Sequence, residues 1–197
     1  MVSPCRSEEQ DLLDSNAVKG VRGGDSSAFG DIVKRYTPLL FSLSHRILGG
    51  DETAAEEAVQ EIFAKAFRSL DRFDASRRFF TWFYTVALNH LRSFRRRQQG
   101  QARRRIVSFD RVATRYSVDR SPTPEQAALA REGERLVQEA LALLPQKHRE
   151  AFLLCEVEGM SAADAAEVLG VPPTTLRTYL FRARGKLKSI LIEKEWE

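Results

Sequence analysis

Residues Met160 to Arg184 read MSAADAAEVLGVPPTTLRTYLFRAR, and this stretch decides the fold. Ser161 carries a hydroxyl suited to an N-cap. Asp164, three residues on, sets an acid at the positive end of the helix that follows. Ala163, Ala166 and Leu169 recur at helical spacing. Gly170 then permits a left-handed stop, and Pro172-Pro173 suits the start of a new helix better than its interior. In that second helix Leu176, Leu180, Ala183 and Leu187 share one face, while Thr174, Thr175, Arg177, Thr178, Arg182 and Arg184 fall largely elsewhere. The spacing predicts helix, tight turn, helix, with Ala166, Gly170 and Leu176 at the small contact, the turn and the apolar lock. Hydroxyls and arginines in the first turns of the second helix are what a major-groove reader uses. A helical hairpin in an ordinary core is the competing reading.

Working outward, Glu125 begins the block that contains this motif. Leu129, Leu136, Val137, Ala140, Leu141 and Leu144 mark one helix. Pro145 starts another, with Ala151, Phe152, Leu154 and Val157 inward and an end at Gly159. Upstream, residues 98–124 lose all periodicity; Arg103-Arg104-Arg105 and Ser121-Pro122-Thr123-Pro124 give them the character of a flexible linker. Residues 25–97 form a second block. Asp25 or Ser26 caps a helix in which Phe29, Ile32, Val33, Tyr36, Leu40, Leu43 and Ile47 form the stripe, with Pro38 inside it and Gly49-Gly50 after it. Asp51 opens a helix to about Leu70 with Ala55, Val59, Ile62, Phe63, Ala66 and Phe67 inward. Its other side is acidic through Glu52, Glu56, Glu57, Gln60 and Glu61. Such a face is either solvated or a docking surface for a basic partner.

After a loop from Leu70 to Arg78, a third helix runs from about Phe79 to Arg97. Its apolar stripe is Phe79, Trp82, Phe83, Val86, Ala87, His90, Leu91 and Phe94. Thr81, Tyr84, Thr85, Asn89, Arg92, Ser93, Arg95 and Arg96 lie mainly off it. Hydroxyls, an amide and arginines beside an aromatic loop suit single-stranded nucleic acid, with bases stacked on rings and phosphates held by guanidinium groups. The simpler alternative for the arginines is a solvated helix end. His90 reads as a packed histidine. Residues 1–24 read as a polar, frayed tail to Ser15 and a short helix stopped by Gly23-Gly24.

The fold class that follows is all-α: two small helical domains, 25–97 and 125–197, joined by the linker 98–124. The net charge is only +4, yet seven arginines and no acid lie between Arg92 and Arg105, an asymmetry that points to a polyanion. Cys5 and Cys155 lie far apart in sequence, and with three histidines they suggest no metal site. A reduced, cytoplasmic protein without signal peptide or membrane span is the expectation. No nucleophile, metal cluster or phosphate-cradling glycine loop stands out, so no catalytic residue, cofactor or small-molecule substrate is expected.

Both blocks together resemble the extracytoplasmic-function group of bacterial sigma-70-type sigma factors. The resemblance rests on Ala55 to Phe63, Phe73, Phe79, Trp82, Ala87 and Asn89 in the first block. In the second it rests on Leu144-Pro145, Arg149-Glu150, Glu158 to Ser161, Ala166, Leu169 to Pro172, Thr175 to Thr178 and Arg182 to Arg184. It implies an all-helical promoter-specificity subunit. The second helix of the first domain would grip the β′ clamp helices of RNA polymerase through Glu57, Gln60 and Glu61, with Phe63 in support. Phe73, Arg77, Arg78, Tyr84, Asn89, Arg92, Arg95 and Arg96 would open and hold the −10 element. The linker would thread the polymerase toward the RNA exit path. Thr174, Thr175, Arg177, Thr178, Tyr179, Arg182 and Arg184 would read the −35 element, in a domain that also touches the β flap. The resemblance further implies an anti-sigma partner. The chain departs from the pattern in the glycine-free loop Asp74 to Arg78, at Phe80, at Thr174 and at Tyr179, which bears on promoter sequence. A stand-alone helix-turn-helix regulator, and an interaction protein that binds polymerase without reading a promoter, are the alternatives.

Overall fold

A computed structural model describes residues 8–104 and 124–195, with side chains placed at 8–100, 133–190 and Ile192. Eight α-helices and no strand occur among the described residues. The N-terminal unit comprises α1 (Glu8–Arg22), α2 (Phe29–Ile47), α3 (Glu52–Ser69) and α4 (Phe79–Arg104); the C-terminal unit comprises α5 (Pro124–Ala142), α6 (Gln146–Phe152), α7 (Ala162–Leu169) and α8 (Pro173–Glu195). The linker expected at 98–124 falls mostly outside the described residues, but α4 continues through its first part to Arg104. Apolar periodicity stops near Phe94 because the core stops there. A run of Arg and Gln has ample intrinsic helix propensity to extend the helix past it.

The expected caps form. Asp51 Oδ1 accepts from the Ala54 N–H at 2.9 Å and starts α3. Asp25 caps the short turn Ser26–Ala28 that leads into α2, accepting from the Ser27 N–H at 3.0 Å. α1 begins earlier than its polar sequence suggests, at Glu8. Its anchor is Asp14, wholly buried, which accepts from the Tyr36 hydroxyl at 2.6 Å and pairs with Arg35. A buried carboxylate with two donors is tolerable where a solitary one is not, so the partners on α2 make this stretch structured.

Rings fill the core of the N-terminal unit. Tyr36 meets Phe83 edge-on at 4.6 Å, Phe79 stacks on Phe83 at 5.4 Å, and Phe73 lies 5.0 Å from Trp82. Arg22 ties the loop after α3 to this core, donating to the carbonyls of Leu70 (2.9 Å), Asp71 (3.2 Å) and Phe73.

α6 does not end as a regular helix. Residues Leu153–Val157 form a π-turn, in which the Glu158 N–H bonds the Leu153 carbonyl at 2.9 Å. The extra residue slips the phase of the buried stripe. Leu153 and Leu154 are both fully buried, whereas Val157, expected inside, is 40% exposed.

Candidate nucleic-acid and polymerase interfaces

The helix-turn-helix is built as its sequence dictates. Ser161 Oγ accepts from the Asp164 N–H at 3.1 Å and donates to the Asp164 carboxylate at 2.7 Å. Gly170 takes the left-handed conformation (φ 66°, ψ 39°) and ends α7, with the Val171 N–H returning to the Ala166 carbonyl at 3.0 Å. Pro173 opens α8. Leu176, Leu180, Ala183, Leu187 and Ile190 are its buried stripe. That leaves Thr174, Arg177, Thr178, Arg182 and Arg184 exposed, while Thr175 and Tyr179 are half-buried. Tyr179 is held against His148, with ring centroids 5.2 Å apart, so its hydroxyl is presented by a braced ring. The Thr178 hydroxyl donates to the Thr174 carbonyl at 3.1 Å, and Arg184 pairs with Glu156. Phe181 completes this surface. At 79% exposure it is the most open large apolar side chain described. Sequence reasoning missed it, although the signal was available: Phe181 lies off the stripe and four residues beyond Arg177.

On α3, Glu57 and Gln60 are exposed and lie beside Ala58, Val59, Ile62 and Phe63, which are buried. Glu61 is half-buried, accepts from Arg97 at 2.9 Å and lies 3.1 Å from His90 Nε2. Burial lowers the pKa of His90, against the opposing pull of Glu61.

Five of the eight residues assigned to the −10 element, Phe73, Arg77, Arg78, Tyr84 and Arg92, occupy a different environment from the one expected. Phe73 and Tyr84 are buried, at 6% and 0% exposure. Thr81 and Leu88 are also buried, so α4 is covered on more sides than its stripe requires. The C-terminal unit packs on it through α7. Tyr84 donates to Glu158 at 2.7 Å. Arg78 donates to both oxygens of Asp164 at 2.9 and 3.0 Å and to Asp11 at 2.9 Å, and Arg77 pairs with Glu167. Arg92 forks onto Glu150 with bonds of 3.0 and 2.7 Å. Glu150, 1% exposed, also accepts from Gln146 at 2.8 Å. These hydrogen bonds keep Arg92 more firmly protonated than usual. Burial pushes the Glu158 carboxyl up to about 7, against the opposing effects of Tyr84 and Arg46. Asn89 is exposed and accepts from Arg92 at 3.2 Å. Arg95 and Arg96 open onto a cleft of about 420 Å³ shared with Arg92, Gln146 and Arg149. Burial also raises the Cys155 thiol, to about 11, which makes it a poor nucleophile.

Two units, one presenting a helix-turn-helix and the other an acidic helix beside a basic aromatic one, define a transcription factor of the sigma type. Comparisons with known proteins agree. Residues 32–101 match the model of Sigma-70 region 2, and residues 134–187 match that of Sigma-70, region 4. The chain is 33% identical over 188 residues to the ECF RNA polymerase sigma-E factor of Haemophilus influenzae, spanning 91% of this chain and 96% of that one. It is 30% identical over 184 residues to the ECF RNA polymerase sigma factor SigW of Bacillus subtilis, spanning 92% and 98%. Among solved structures, CnrH in complex with the cytosolic domain of CnrY superposes with a TM-score of 0.66 at 28% identity, covering 93% of this chain and 97% of that one. The chain belongs to the extracytoplasmic-function sigma factors, and its function is that of an RNA polymerase sigma factor directing promoter-specific initiation.

Proposed function

We propose that the two units divide this work as follows. Residues 25–97 bind core polymerase through the α3 face Glu57, Gln60 and Glu61, with Phe63 supporting that face from the core. The loop before α4 and the basic side of α4 hold the melted −10 element. Residues 125–197 place α8 in the major groove of the −35 element, with Arg177 and Thr174 foremost and Phe181 beside them. Residues 98–124 connect the two, and α1 braces the first unit. The chain supplies binding and no catalysis of its own, and it acts in the cytoplasm. No described helix is long and apolar enough to cross a membrane.

The observation that carries this reading is the arc of hydroxyls and guanidinium groups on α8, left exposed while the opposite stripe is buried. Flipped bases cost a few kcal/mol to unstack, and rings and arginines near α4 offset part of that cost. An anti-sigma protein is a further expected partner, implied by the family resemblance; the CnrH relative is itself solved in complex with the cytosolic domain of another protein, CnrY.

Run-off transcription with purified core polymerase tests the reading, on templates chosen by mapping transcript starts after overexpression. Discrete promoter-dependent transcripts are expected only when this chain is added. Transcripts that require another sigma factor as well would identify a stand-alone regulator instead.

A further inference from the structure

Arg92, Arg95, Arg96 and Gln99 stand at i, i+3, i+4 and i+7, on one face of α4. Leu144, Gln146 and Arg149, just before and within α6, complete the lining of the cleft of about 420 Å³ that they share. Small-molecule sites usually enclose about 300–1,000 Å³. Among the described residues no carboxylate and no aromatic ring lines this one. Glu150 lies next to it and is already engaged by Arg92 and Gln146, so it offsets one guanidinium group and leaves three. Arg149 decides what the cleft is for. It is 2% exposed, yet its Nε has no hydrogen-bond partner among the described residues. A buried cation without a partner is costly, and like charges crowded into one cleft repel. An anion in the cleft relieves both.

We propose that this cleft binds a linear oligophosphate, the triphosphate chain that a nucleoside triphosphate carries and that inorganic tripolyphosphate consists of. Guanidinium forks grip phosphate oxygens in pairs, and a chain of phosphates reaches several forks at once. A single small anion would satisfy Arg149 and leave Arg95 and Arg96 repelling each other. Arg149 makes the desolvated contact, where a charge-assisted hydrogen bond is strongest. Arg95, half-buried, and Arg96, exposed, hold the more open part of the chain. With no ring in the lining, nothing is placed to stack a nucleobase, so the phosphates alone are recognised. The site needs no nucleic acid, and it stands whether or not α4 holds the −10 element.

Calorimetric titration of sodium tripolyphosphate into the full chain, without DNA or polymerase, tests the site. One ligand per chain is expected, with ATP and GTP binding within about threefold of tripolyphosphate because only phosphates are read. R95Q with R96Q is expected to weaken binding about tenfold or more relative to R68Q with R72Q, a control that removes two exposed charges elsewhere. R149M keeps the buried stem and removes the unpartnered charge. It is expected to melt no lower than the unsubstituted chain, and to lose the rise in melting temperature that tripolyphosphate gives that chain. If R149M fails to fold, the R95Q and R96Q comparison decides alone. Equal affinity in the two double variants would overturn the site, since diffuse positive charge would then account for binding. So would an R149M chain that melts lower yet keeps the full ligand-induced rise, which would make Arg149 purely structural. ATP or GTP binding without tripolyphosphate binding would mean that a base is read, and would overturn it too. A 20-nucleotide single strand is titrated in parallel. If the strand binds and tripolyphosphate does not, the proposal fails while the −10 reading survives.

Discussion

Arg177→Ala is expected to flatten the dependence of initiation on −35 sequence. Arg177 lies in the second turn of α8, exposed, with the buried Leu176 before it and Thr178 after it fixing its direction. A helix entering the major groove presents side chains from its first turns to the base edges. A bidentate arginine contact to guanine gives about 1–3 kcal/mol of discrimination, or roughly 5- to 150-fold at a tenfold per 1.4 kcal/mol. Measured on a promoter library in holoenzyme, the variant is expected to compress the spread among −35 sequences by that amount. Arg95→Ala and Arg96→Ala serve as the contrast. Their guanidinium groups sit at an open cleft, so they are expected to lower activity evenly across promoters. A uniform loss with Arg177→Ala, together with a changed ranking from the α4 variants, would reverse the two assignments.

Reversing charge on α3, with Glu57→Lys and Glu61→Lys together, is expected to abolish most binding to core polymerase. Both residues flank the buried stripe on neighbouring turns, and Glu57 is exposed. Like charges brought together across an interface cost several kcal/mol, so a loss of about a hundredfold or more is expected in a pull-down titration with core enzyme. Glu61 also accepts from Arg97, and a lysine there faces a cation. Exposed pairs of this kind contribute about 0–1 kcal/mol, so the melting temperature should move by only a few degrees. Glu61→Gln alone separates the loss of the Arg97 pair from the charge reversal. Unchanged core affinity in the double variant would remove this helix from the interface.

What could be read from the sequence follows the range of the forces involved. Caps and stops are local: Ser161, Gly170, Pro173 and Asp51 act within four residues, and all sit where their chemistry places them. The stripe of α8 was equally legible, because one face of a helix against one core is a periodic signal. Two of the misreadings have a tertiary cause. Asp14 makes α1 begin early only because Tyr36 and Arg35 reach it from α2. Tyr84 and Thr81 are polar and off the stripe, yet both are buried; Tyr84 is covered in part by the second unit, whose Glu158 accepts its hydroxyl. Val157 follows the α-helical period, and the π-turn displaces it. Phe181 falls off the buried stripe of α8 by the same periodicity, and its exposure follows from that position.

The pairing of Arg77, Arg78 and Arg92 has a consequence for ionic strength. A free guanidinium that meets a nucleic-acid phosphate displaces a condensed small cation, and the entropy of that release drives much of the binding. For single strands each such contact steepens the dependence of log affinity on log salt by about 0.7. In this chain these three arginines already hold protein carboxylates. A strand arriving there trades one anion for another, and the carboxylates it expels reclaim cations from solution as they re-enter water. The gain from released ions is then largely returned, so a strand binding along α4 is expected to depend on salt less steeply than the number of its arginines alone gives.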